Sequence, residues 1–65
     1  MNDVIIIVPT LNEKGNIDIL FEKLKKTNIA FDILFIDDNS NDGSQEEIRN
    51  LEKKNQNIYY IFYAI

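Results

Sequence analysis

The sequence predicts an α/β chain with a parallel sheet, in the order β-α-β-α-β, on three observations. Short runs rich in β-branched and aromatic residues stand at 4–8, 31–36 and 58–63. Amphipathic stretches of helical period fill both intervals, and strands alternating with helices imply right-handed crossovers in a parallel sheet. The first two runs also end at acids. Pro9, Thr10, Leu11, Asn12 and Glu13 follow one, and Asp37 and Asp38 follow the other.

Each element has its own signature. Residues 4–8 form an unbroken apolar run, the pattern of a parallel strand covered on both faces, and Pro9 is expected to end it by removing a backbone donor. A helix is expected over 15–27, where Ile17, Leu20, Phe21 and Leu24 recur at i, i+3, i+4 and i+7. Lys23, Lys25 and Lys26 lie in its later turns, where cations suit the helix dipole. Residues 28–30 connect to the second strand, 31–36. Gly43 allows a turn, and Ser44 with Glu47 matches the S-x-x-E capping box that opens a second helix. That helix carries a thin apolar stripe, Ile48 and Leu51, so it should pack on one side only. Residues 55–57 end it and 58–63 form the third strand, with Tyr59, Tyr60 and Tyr63 expected in a mixture of core and edge packing.

Size and composition narrow the function. A 65-residue chain is short for a domain, and it has no cysteine or histidine to supply disulfides, thiolate chemistry, His-based catalysis or a His/Cys zinc site. A hydrophobic content of 45% with 28% charged residues is that of a folded protein, not a disordered one. The net charge of −4 argues against a nucleic-acid partner, which calls for a basic face. No run has the form of a signal peptide or approaches the ~20 apolar residues of a membrane span, so a cytoplasmic location is expected. There is no G-x-G-x-x-G and no G-x-x-x-x-G-K-[ST], which disfavours a dinucleotide site and a P-loop. The chain reads as one partial domain, 1–65, that stops at or just after a strand. The exposed edge there is expected to invite self-association.

The acids at the strand ends are the candidates for function, because ligands of open α/β sheets bind outside the carboxyl ends of the strands. Adjacent residues of a strand point to opposite sides. One of Asp37 and Asp38 should therefore face a ligand while the other caps the following turn. A carboxylate only accepts hydrogen bonds, which suits the amino and imino hydrogens of a nucleobase edge. The same residues also suit a plain Asx-turn. Thr10 offers a hydroxyl, Glu13 a carboxylate and Pro9 a rigid wall for a flat ring, and neighbouring parallel strands would bring the two tips within roughly 5 Å.

Two motifs carry a resemblance. Val8-Pro9-Thr10-Leu11-Asn12-Glu13 resembles the V-P-T-Y-N-E that opens the family 2 glycosyltransferases of GT-A fold. The run from Ile36 to Ser44, I-D-D-N-S-N-D-G-S, resembles their V-D-D-G/N-S-x-D-G-T. The likeness is nearest to the dolichyl-phosphate mannose synthase and polyprenyl-phosphate sugar transferase branch. It implies the N-terminal, nucleotide-binding portion of a Rossmann-like GT-A domain, truncated. It also implies that Pro9, Thr10, Leu11 and Glu13 border the nucleoside of a UDP- or GDP-sugar, with Asp38 as the base contact and Asp37 beside it. Leu11 departs from the family's Tyr and gives up aromatic stacking on the base. The family's D-x-D, which holds a magnesium or manganese ion on the donor diphosphate, does not occur here, and neither do the catalytic base and the acceptor region. The resemblance therefore implies a glycosyltransferase fragment inactive alone, whose full-length form acts on an acceptor such as a polyprenyl phosphate, at the inner face of a membrane if anchored. Two other readings stand beside it. One is a receiver-like phosphoacceptor module, disfavoured because its acids follow the second strand and 59–65 contains none. The other is a non-functional truncated product.

Overall fold

The computed structural model describes residues 2–63, so the expected chain end at Ile65 lies outside the described residues. Five elements follow in the expected order: β1 (Ile5–Thr10), α1 (Asn16–Lys25), β2 (Asp32–Asp38), α2 (Ser44–Lys54) and β3 (Ile58–Tyr63). The strands form one parallel sheet in the order β1-β2-β3. Two right-handed crossovers stepping the same way across a sheet put both helices on one face. The core lies between them: Ile17 and Phe21 of α1, Ile48 and Leu51 of α2, and Ile33, Phe35 and Ile58 of the sheet are buried.

This one-sided arrangement corrects the expectation that the first strand is covered on both faces. Ile5 and Ile7 of β1 and Tyr59, Ile61 and Tyr63 of β3 stand exposed, while Ile6 and Val8 turn inward against the core. The tyrosines are likewise not split between core and edge, since all three are more than a third exposed. Tyr59 and Tyr63 lie on the uncovered face. Tyr60 stacks on Phe62 with ring centroids 4.4 Å apart, and Arg49 of α2 lies over the Phe62 ring.

Pro9 does not end β1 but lies within it, opposite Ile36. The reason is its place on an edge strand. The Val4 carbonyl accepts from the Asp32 amide, so backbone groups alternate and those of Ile5, Ile7 and Pro9 point to the unpaired side. A missing N–H costs nothing there. At the other boundary, Asp37 and Asp38 are the last two residues of β2 rather than its stop signal.

Helix α1 is shorter than expected by a residue at its start and two at its end. The Thr27 amide and hydroxyl both donate to the Leu24 carbonyl, which closes the last turn. Asn12, Asn28 and Asn39 have positive φ, and each sits in a loop leaving β1, α1 or β2, where Asn tolerates the left-handed region best after Gly.

The expected capping box of α2 is not formed. Gly43 occupies the N-cap with φ of 99° and has no side chain to donate a cap. Asp42 takes over, accepting from the Ser44 amide at 3.0 Å and from its hydroxyl at 2.5 Å. Glu47 turns away from its own helix and reaches the start of α1.

Candidate functional site

The register sets Thr10 beside Asp37 at the carboxyl end of the sheet. From there the two aspartates part, as adjacent strand residues must. Asp37 points to the helix-covered side and is completely buried. It accepts from the Thr10 hydroxyl at 2.5 Å, the Ser40 hydroxyl at 2.6 Å, the Ser40 amide at 2.8 Å and the Gln45 side-chain amide at 2.8 Å. Burial pushes its carboxyl upward, but the hydrogen bonds from Ser40, Thr10 and Gln45 outweigh that and hold it below its ordinary value. Asp37 is thus an ionised buried knot that ties the tip of β1 to the β2–α2 loop. It has no face left for a ligand.

Asp38 points to the other side, half-buried, into an open cleft of about 370 Å³. The cleft is lined by Pro9, Thr10, Leu11 and Glu13 from the β1 end, by Ile36 and Asp38 from β2, and by Ile7 and Tyr63. Five of the six residues singled out from the sequence therefore share one hollow, and Asp37 stands behind its wall. Sequence reasoning missed Tyr63, Ile7 and Ile36. Period-two alternation would have found them, because Tyr63 pairs with Asp38 and Ile7 and Ile36 fall on the same face as Pro9.

Chemically the cleft is an apolar slot with acidic ends. Pro9, Ile36 and Tyr63 offer flat or branched walls, and Glu13 and Asp38 supply acceptors. No cation lines it. Such a lining suits a flat, uncharged group rich in N–H and O–H donors and repels a bare phosphate. Nor does it suit a metal ion. Among the described residues no group of three or more His, Cys, Asp or Glu side chains converges, and the donors around Asp37 already occupy its carboxylate. The convergent acids of a receiver-type phosphoacceptor site are missing from the described residues for the same reason.

A wider hollow of about 590 Å³ opens at the opposite end of the sheet, between Phe21, Lys25, Phe31 and several amide side chains. It is the weaker candidate despite its size. It lies at the amino ends of the strands, away from the usual ligand edge. Three of its amides are spent on the backbone as well: Asn2 and Asn57 donate to the Phe31 carbonyl and Asn55 to that of Leu51. In the cleft at Asp38 the Thr10 hydroxyl is spent on Asp37 and one Glu13 oxygen accepts from the Asn16 side chain, which leaves the Asp38 carboxylate and the other Glu13 oxygen to face a ligand.

No helix among the described residues is long and apolar enough to cross a membrane. No curated protein and no solved structure matches the chain. One family model does match, over residues 5–63, and its description is "Glycosyl transferase family 2".

Proposed function

This chain belongs to glycosyl transferase family 2, and from that premise we propose that it holds the nucleoside of a nucleotide-sugar donor in the cleft between the β1 and β2 tips. The observation that carries the reading is the meeting of Pro9, Thr10, Leu11, Glu13 and Asp38 around one hollow. In this reading the Asp38 carboxylate accepts the imino or amino hydrogens of the base. Pro9 and Leu11 bound the ring, and Glu13 takes a ribose hydroxyl. Asp37 acts at one remove by fixing the Thr10 hydroxyl.

The donor is a UDP- or GDP-sugar, and the acceptor is lipid-linked, of the polyprenyl-phosphate kind used by the dolichyl-phosphate mannose synthase branch. The chain works in the cytoplasm, at the inner face of a membrane when joined to an anchor, and the free edge of β3 can recruit a second chain. A magnesium or manganese ion on the diphosphate would need ligands other than these, since the sequence has no Asp-x-Asp. These 65 residues are accordingly assigned donor binding without sugar transfer.

Titrating uridine, guanosine, UDP and GDP into the isotope-labelled chain, with and without manganese, tests the reading by NMR. Amide shifts centred on Thr10, Leu11, Glu13, Asp38 and Tyr63 are expected, with little dependence on manganese. No response at millimolar ligand would end the reading. Turnover of a radiolabelled sugar by the chain alone would overturn the assignment of transfer elsewhere.

A further inference from the structure

The loop between β1 and α1 carries Leu11 and Glu13 into the cleft, yet it makes few hydrogen bonds of its own. Its backbone is bent at Asn12, with φ of 51°, and at Gly15, with φ of 87°. Four successive amides in that bend all donate to side chains from a single distant segment. Asn12 donates to the Ser40 hydroxyl at 2.7 Å and Glu13 to the Ser44 hydroxyl at 2.7 Å. Lys14 donates to Asp42 at 3.1 Å and Gly15 to Glu47 at 2.9 Å. In return the Asn41 amide donates to the Asn12 side-chain oxygen at 3.2 Å.

We propose that Ser40, Asp42, Ser44 and Glu47 are positioning residues for the cleft, clamping the Asn12–Gly15 backbone so that Leu11 and Glu13 are presented to the ligand. The proposal rests on the nucleoside reading above and extends it to four residues outside the cleft. None of the four lines the hollow that holds Asp38.

The direction of each hydroxyl proton supports a built clamp rather than chance contact. Ser40 passes its proton to Asp37 and Ser44 passes its own to Asp42. Each hydroxyl is polarised by an anion behind it, so its lone pairs face the loop amides. The Ser44 hydroxyl, with the amides of Lys14 and Ser44, outweighs the upward push of desolvation and leaves the Asp42 carboxyl below its ordinary value. Glu47 behaves oppositely. Burial pushes it up, and the neighbouring Asp18 carboxylate adds to the rise against the donations from Gly15 and Asp18 amides. Lys14, Gly15 and Asp18 from the α1 side face Glu47, with Gly43, Glu46 and Asn50 from its own side. A neutral acceptor should therefore serve at 47 as well as a charged one.

The clamp also decides what the loop cannot do. With the amides of 12–15 and of Asp18 engaged, and that of Asn16 bonded to the Glu13 carbonyl, most donors at the start of α1 are spent within the chain rather than turned to a phosphate.

Ser40→Ala and Glu47→Ala test the proposal in the full chain, with Glu47→Gln as the conservative control. Amide hydrogen exchange is expected to rise at least about tenfold at Asn12 in the first variant and at Gly15 in the second, with Phe35 and Ile48 unchanged. Affinity for uridine or guanosine, whichever the wild type binds, should fall roughly three- to tenfold in both, and Glu47→Gln should retain exchange protection and affinity. Unchanged protection in the alanine variants would overturn the clamp. Lost protection with unchanged affinity would overturn its positioning role. A wild type with protected loop amides and no nucleoside binding would instead sink the reading of the cleft, and the positioning role with it, while leaving the clamp standing.

Discussion

The two ends of β2 each bury an aspartate, and the two are used differently. Asp32, at the amino end, accepts from the backbone and side-chain amides of Asn2 and so holds Asn2 against the sheet. Asp37, at the carboxyl end, gathers four donors from three residues in β1, the β2–α2 loop and α2. The amino end has the wider hollow, but the amides of Asn2, Asn55 and Asn57 that line it finish bonds on backbone carbonyls. The carboxyl end is braced from behind, so the next residue, Asp38, can stay open to a cleft. A buried acid therefore ties down a single residue in one case and braces a ligand-facing neighbour in the other.

Three substitutions probe that contrast, in falling order of effect on stability. Asp37→Asn should be the most damaging. An amide can satisfy two of the four donors with its oxygen, and its own NH2 then faces the rest, at a cost of about 2–4 kcal/mol. For 65 residues the whole folding free energy is roughly 3–10 kcal/mol, so the urea midpoint should fall sharply. The same carboxylate sets the acid limit. Its folded pKa lies below the ordinary 3.8, so its contribution is full above that value and fades as pH falls through the folded one. The wild type should lose stability below pH 3.8, and Asp37→Asn should flatten that slope. A variant as acid-sensitive as the wild type would show that another carboxylate governs it.

Asp32→Asn should cost less, about 1 kcal/mol, because one acceptor oxygen remains for the two Asn2 donors. A loss equal to that of Asp37→Asn would erase the distinction between the ends. Asp38→Asn should change stability by less than about 0.5 kcal/mol, since this carboxylate is half-buried and faces the open cleft. Nucleoside affinity should nevertheless drop about tenfold or more, read by the same NMR titration. A stability loss without an affinity loss would move Asp38 from the site to the scaffold.

Much of this was legible in the sequence, and for identifiable reasons. Strand and helix types follow from the unbroken run before Pro9 and the i, i+3, i+4 spacing of Ile17, Leu20 and Phe21, because local sterics and periodicity decide them. The parting of Asp37 and Asp38 follows from the pleat alone. What escaped was non-local. Ser44 and Glu47 look like a local capping box, yet both serve α1 or its preceding loop, about 30 positions earlier in the chain. Pro9 looks like a stop until its strand is known to lie at an edge. The exposure of the β3 tyrosines is not legible either, because alternation shows which residues share a face, but not whether anything covers that face.

The stitched loop has a consequence for the order of assembly. Its donors at 12–15 find their partners only 28 to 32 residues later. A nascent chain that has emerged only through α1 can form a helix but cannot settle the bend before it. The ligand-facing geometry must wait until the second crossover docks. Because every strand pair is parallel and spans a crossover as well, folding should be slow for so small a chain and close in a single late step.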